Sequence, residues 1–321
     1  MQKRILWFIA LLALVLPLSV MAQDEIPGSG LVTGPMEGEA TDLTGAGATF
    51  PAVLYTAWFS DYATLTGVQV NYQAIGSGGG IKAISDQTAD FGASDGPMTD
   101  DQLAAAQATC GADILHIATA LGGVVVTYNI PELQDSGEVL KFTPDTLAGI
   151  FLGEITNWKD EKLVADNPQL AEIDQPIAVV HRSDGSGTTN IFTSYLKAVS
   201  ETWATEVGAG TSVSWPTGIG QKGNAGIAGA IAGVPYALGY VELAYAEQNG
   251  LPESLIQNSS GVFIGATLDS VTNAAAGVDI PEDERIMIVN GAGDDTYPIA
   301  GFTWLLVCPN QTDPAKATAL T

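Results

Sequence analysis

Apolar and polar positions repeat one unit along this chain: an apolar or alternating run, a turn rich in Gly, Ser and Thr, then apolar residues at helical spacing. Ile177-Ala178-Val179-Val180 reads as a buried strand, and Ile191, Phe192, Tyr195 and Leu196 fall on one helical face after the turn at 181–190. Val68-Gln69-Val70-Asn71-Tyr72-Gln73 alternates as a half-buried strand and passes through Ile75-Gly76-Ser77-Gly78-Gly79-Gly80 into a short helix at 81–84. The turn Gly45-Ala46-Gly47-Ala48-Thr49-Phe50-Pro51 precedes an amphipathic helix over 52–64, whose stripe of Leu54, Trp58 and Tyr62, with Tyr55 and Phe59 beside it, is expected to face the core. Residues 90–95 form a short strand ending on Asp95, and Thr99 suits the N-cap of the next helix. Further along, 115–118 and 124–128 predict two strands, with a sharp bend or crossover at Gly122-Gly123. Helices are expected over 142–152, 225–233 and 243–248, and strands over 237–241, 262–264, 285–289 and 302–308. Such alternation of strands and helices is that of an α/β protein.

The chain's 321 residues suffice for one large or two medium cores. Met1-Gln2-Lys3-Arg4, the apolar run 5–20 and Val20-Met21-Ala22 read as a cleaved secretory signal over 1–22 rather than a membrane anchor. No Cys follows the run, so a lipid anchor is not indicated, and the expected location is periplasmic or extracellular. Residues 23–41 are Gly-, Pro- and acid-rich and read as a flexible acidic linker. The net charge of −25 argues against nucleic acid and anionic membranes as partners. It also repels small anions at long range, but exposed charges are screened beyond about 8 Å in physiological salt. With two Cys and two His, no metal-ligand spacing exists, and no metal or organic cofactor is implied.

The turn at 181–190, His-Arg-Ser-Asp-Gly-Ser-Gly-Thr-Thr-Asn, carries the candidate chemistry. Ser186 suits the N-cap of the following helix, whose first N–H groups lack intrahelical partners. Gly185 and Gly187 let the backbone approach a ligand, Thr188 adds a hydroxyl, and Arg182 offers a planar donor fork that Asp184 can hold in place. Together these form an anion site; the alternative is an ordinary capped turn with a surface Arg. Further units of the same kind, with ligands of open α/β sheets lying beyond the carboxyl ends of the strands, favour the first reading.

Four segments, at 45–51, 75–77, 90–95 and 184–188, resemble the PstS family, the phosphate-binding proteins of bacterial phosphate ABC transporters. Gly149-Ile150-Phe151-Leu152-Gly153, Gly223-Asn224-Ala225-Gly226-Ile227 and Gly239-Tyr240-Val241-Glu242 are similar as well. The resemblance implies a two-lobed, hinged (Venus-flytrap) periplasmic binding protein fold, each lobe a mixed sheet flanked by helices. It divides the chain into a first lobe from 42–119 and 296–321 and a second lobe from 120–295. It also implies that Thr49, Phe50, Ser77 and Asp95 of one lobe, and Arg182, Ser186, Gly187 and Thr188 of the other, bind phosphate, with Asp184 orienting Arg182. Where the family often has a second Ser, Gly78 stands here. Asp95 is the one acceptor among donors: phosphate carries a proton to give it, and sulfate does not.

The implied function is delivery of inorganic phosphate to the membrane permease of an ABC transporter, by a monomer without enzymatic activity. The alternatives are a receptor for another tetrahedral oxyanion, such as sulfate or molybdate, and a secreted phosphatase. Against the latter, Gly185-Ser186-Gly187 is not Gly-x-Ser-x-Gly, no Walker A sequence exists, and His181 is expected to be a strand-end residue. His116 is expected to be a satisfied core histidine. Cys110 and Cys308 both fall in the first lobe and are expected to be buried free thiols, a bridge being the alternative. Asp313 and Pro314 open a short terminal helix, and the resemblance implies that further helical sequence follows Thr321.

Overall fold

The structure is a computed structural model and describes residues 34–320 except Met36 and Asp135. The predicted leader and residues 23–33 of the linker lie outside the described residues. The chain enters the first lobe through β1 (Asp42–Gly47), α1 (Ala52–Thr66), β2 (Gln69–Ala74), α2 (Ser77–Ser85), β3 (Phe91–Ser94) and α3 (Asp100–Cys110). The long strand β4 (Leu115–Asn129) leads to β5 (Lys141–Phe142), α4 (Pro144–Leu152), α5 (Glu161–Asp166), β6 (Ala178–Arg182), α6 (Gly187–Val199) and α7 (Glu201–Glu206). Then come β7 (Ile219–Gln221), α8 (Gly223–Gly233), β8 (Ala237–Glu242), α9 (Leu243–Gln248), β9 (Leu255–Gln257), β10 (Phe263–Ile264) and α10 (Leu268–Ala275). β11 (Ala300–Val307) and α11 (Pro314–Leu320) return to the first lobe.

Two lobes share one sheet of order β2-β1-β3-β11-β4-β8-β6-β7, beside a small sheet β10-β9-β5. β1 lies parallel to β2 and β3, while β11 runs antiparallel to β3 and β4. β4 pairs with β11 up to Gly123 and with β8 from Val124 onward. The chain therefore passes between lobes by changing ladder partner. Of the two expectations at Gly122-Gly123, a sharp bend or a crossover, the crossover holds, and the two expected strands are one continuous β4, because a change of partner needs no turn. Beside this point Val124 N–H donates to the Ile299 carbonyl at 2.8 Å, so the outgoing and returning chains cross together.

Aromatic residues dominate the second lobe's core, with Trp158, Trp203, Phe151, Phe192 and Tyr240 fully buried. In the first lobe α1 buries the Tyr55 and Phe59 side of the expected face, with Tyr62 packed at its border, and leaves the Leu54 and Trp58 edge outward. Leu54 and Trp58 are 36% and 43% exposed, whereas Tyr55 is buried against Phe59 and Tyr72. Both edges carry apolar residues at i, i+4; the buried one also supplies a partner for a phenol, since the Tyr55 hydroxyl meets Thr119 Oγ1 at 2.6 Å.

Residues 285–289 are not a strand. Ile286, Met287 and Val289 pack on the second lobe's core from an irregular segment, while Arg285 holds Asp283, Asp100 and the Met98 carbonyl. With its end pinned by side chains, the segment gains burial without a ladder partner.

Cys110 and Cys308 are bridged, which corrects the expectation of free thiols. The antiparallel pairing of β11 with β3 and β4 carries Cys308 to the end of α3, with Cα atoms 5.8 Å apart. A bridge closing so long a loop, 198 residues in sequence separation, stabilises by about 5 kcal/mol in the chain-entropy description. His116 is buried as expected, its Nε2 accepting from Met98 N–H at 3.2 Å.

Candidate functional site

The 181–190 turn joins the end of β6 to α6. Ser186 caps α6, its Oγ accepting from Thr189 N–H at 3.1 Å, so this hydroxyl is occupied by the helix itself. Arg182 is buried and held side-on by Asp184: Nε donates to Oδ1 at 2.8 Å and Nη2 to Oδ2 at 2.6 Å. Gly223 N–H also donates to Asp184 Oδ1 at 3.1 Å. Burial pushes the Asp184 carboxyl upward, but the hydrogen bonds and charge of Arg182 outweigh it and hold it below the usual carboxylate value. Arg182 Nη1, on the opposite edge of the guanidinium, is buried without a protein partner among the described residues. A buried cationic donor left unpaired by the protein is costly unless an anion meets it.

The other half comes from first-lobe turns. Thr49 and Phe50 lie between β1 and α1, Ser77 begins α2, and Asp95 follows β3. Asp95 is buried; its Oδ1 accepts from Thr303 Oγ1 at 2.9 Å and its Oδ2 from Ser77 Oγ at 3.3 Å. Burial pushes its carboxyl up to about 7, against the opposing pull of Thr303, the Arg182 charge, Ser77 and the Thr188 N–H.

The two halves touch. Gly187 N–H donates to Ser77 Oγ at 2.9 Å, and Gly78 N–H donates to the Gly185 carbonyl at 3.0 Å. Gly187 lies so close to Asp95 that a Cβ there would stand 2.5 Å from the carboxylate oxygen, and one on Gly185 would stand 3.0 Å from the Gly78 Cα. Only glycines permit this approach. Thr49 is engaged from the second lobe by Asn224 and by the Tyr245 hydroxyl, which donates to the Thr49 carbonyl at 2.7 Å. The lobes are thus closed on one another along these turns.

Thr49, Ser77, Asp95, Gly187 and Thr188 are joined by direct hydrogen bonds or through Asn224, and Arg182 acts on Asp95 by charge. The Phe50 side chain instead packs into the core cluster shared with the second lobe. His181 is stacked on Trp215 at 4.8 Å between centroids, and its Nδ1 lies 3.0 Å from the Arg182 carbonyl.

Three groups, Asn224 and Thr303 buried and Glu242 half-buried, were not anticipated. Asn224 and Thr303 belong to the site's hydrogen-bond network, and burial, with the Asp95 charge adding to it, pushes the Glu242 carboxyl up to about 8. Each left a trace in sequence. Asn224 sits in a Gly-rich turn before a helix, Thr303 interrupts an apolar strand, and Glu242 ends one.

The PBP superfamily domain matches residues 34–320. The phosphate-binding protein PstS of Pasteurella multocida is 42% identical over 284 residues, covering 88% of this chain and 80% of its own. The chain belongs to the PstS family. The phosphate-binding protein PstS of Methanocaldococcus jannaschii is 36% identical over 338 residues, covering 99% of this chain and 86% of its own. The crystal structure of a phosphate-binding protein from Stenotrophomonas maltophilia superposes with a TM-score of 0.60 at 21% identity, over 84% of this chain and 79% of its own, and attests the shared fold.

Proposed function

We propose that this protein is an extracytoplasmic receptor that closes its two lobes around inorganic phosphate and hands it to the membrane permease of an ABC transporter. The observation that carries the reading is the pairing of Arg182 Nη1, a buried donor with no protein partner, with Asp95, a buried acceptor, across a closed interlobe contact. In this reading phosphate oxygens accept from Arg182, from the hydroxyls of Thr49 and Thr188, from backbone N–H groups of Phe50 and the first turn of α6, and, in place of their present bonds to Asp95 and Ser77, from the Ser77 hydroxyl and the Gly187 N–H. The Ser186 hydroxyl caps α6, so its part is through the backbone. Asp95 accepts the proton that phosphate retains near neutral pH, whereas an ion without a proton would face a buried carboxylate with nothing to donate.

Export through a leader at 1–22 and action as a monomer fit the same reading. A hydrolase would need an activated nucleophile. Here the Ser186 hydroxyl serves the helix and the His181 ring is engaged by Trp215, which favours a binding protein. Equilibrium dialysis of the purified protein against labelled orthophosphate tests the proposal: one phosphate retained per chain is expected, and no retention would overturn it.

A further inference from the structure

Asn224 lies at the start of α8 and is fully buried. Its backbone N–H and its side-chain Nδ2 both donate to Thr49 Oγ1, at 3.2 and 2.9 Å. The same Nδ2 donates to Thr188 Oγ1 at 3.1 Å. Its Oδ1 accepts from Glu242 N–H at 3.1 Å, which fixes which end of the amide is the donor. One side chain of the second lobe thus reaches a hydroxyl of its own lobe and a hydroxyl of the other.

A hydroxyl has two lone pairs and one proton. At Thr49 both lone pairs are occupied by Asn224, so the proton can only be donated. Thr188 likewise accepts from Asn224, and neither hydroxyl has an acceptor for its proton among the described residues. Both oxygens are buried, and a buried O–H without an acceptor is costly. We propose that Asn224 is a positioning residue that fixes the Thr49 and Thr188 hydroxyls as donors, and so sets the site's polarity toward an anion as the lobes close. Because Thr49 belongs to the first lobe, its contact with Asn224 exists only when the lobes meet. The donor set is thereby completed by closure. The proposal rests on the phosphate reading above and adds a residue that need not touch the ion.

The test is a double-mutant cycle read as calorimetric affinity for inorganic phosphate. Asn224→Ala in the wild-type background is expected to weaken binding about 30-fold, the loss of two oriented hydroxyl donors. In a Thr49→Val/Thr188→Val background, where no hydroxyl remains to orient, the same change should weaken binding by less than about threefold. Equal losses in both backgrounds would overturn the proposal, since loosened packing or closure costs the same with or without the hydroxyls. Asn224→Asp keeps the shape but offers an acceptor that draws the threonine protons toward itself. It should bind more weakly than Asn224→Ala, and it carries the test if the alanine variant does not fold. Wild-type affinity in the Asp variant would contradict the proposal. Wild-type protein that takes no phosphate would instead remove the function beneath it.

Discussion

Replacing Asp95 by Asn keeps its size and most of its hydrogen-bond partners but turns one acceptor oxygen into a donor. If the carboxylate is what excludes an unprotonated ion, Asp95→Asn should let sulfate compete with labelled phosphate at millimolar concentrations where it leaves wild type unaffected. A variant that still ignores sulfate would move selectivity elsewhere in the site. The same residue has a consequence for stability. Its folded pKa of about 7 lies above the unfolded carboxyl value, so the ligand-free fold is favoured where the group is protonated in both states. That contribution is lost as pH rises through about 4 to 7. Fully developed it amounts to roughly 4 kcal/mol. Glu242 is raised too and acts in the same direction, whereas Asp90 and Asp184 are lowered and lose their contribution only at more acid pH. The Tm of ligand-free wild type should therefore fall from pH 5 to pH 8, and fall less steeply in Asp95→Asn. Parallel curves for the two proteins would show that Asp95 is not the titrating group.

The capped turn before α6 was legible because its signals are local: a strand, a Ser at the cap, glycines and an apolar face follow in order. The Thr99 capping box with Gln102 is legible for the same reason. What escaped depends on residues distant in sequence. Thr303 and Asn224 gain their roles from groups 208 and 175 positions away, Asp95 and Thr49 respectively, and nothing local distinguishes them from core polar residues. That α1 turns Tyr55 fully inward and leaves Leu54 and Trp58 outward goes with a hydroxyl on β4, which the helix's own periodicity does not contain. The bridge between α3 and β11 was decided by sheet order, which the spacing of two cysteines does not contain. This bridge sits beyond the Phe91 end of β3, opposite the end that leads to Asp95. Cys110→Ala/Cys308→Ala should therefore lower the Tm by roughly 10 °C. Phosphate affinity should stay within about twofold, because the bridge and the site lie at opposite ends of the strand. Calorimetry on the variant checks both halves, and a large loss of affinity would mean that the bridge shapes the site.

Two lobes are joined by β4 and by the return into β11, near Gly123 and Ile299, where the ladder changes partner. The turns that face each other across the cleft are held by hydrogen bonds and glycine contacts, with Phe50 adding one apolar contact to the core cluster shared with the second lobe. The chain's charge of −25 opposes an anion approaching from afar, but at physiological salt the field of exposed groups is screened within about 8 Å. In the proposed phosphate site the local donors of Arg182 and the helix N-termini outweigh it at contact. Titration calorimetry of the purified protein at pH 7.5 and physiological salt, first with phosphate and then with sulfate, tests this most directly. Saturable one-to-one heat with phosphate and none above dilution with sulfate is the predicted result; equal heats for the two ions, or no heat with phosphate, would contradict it.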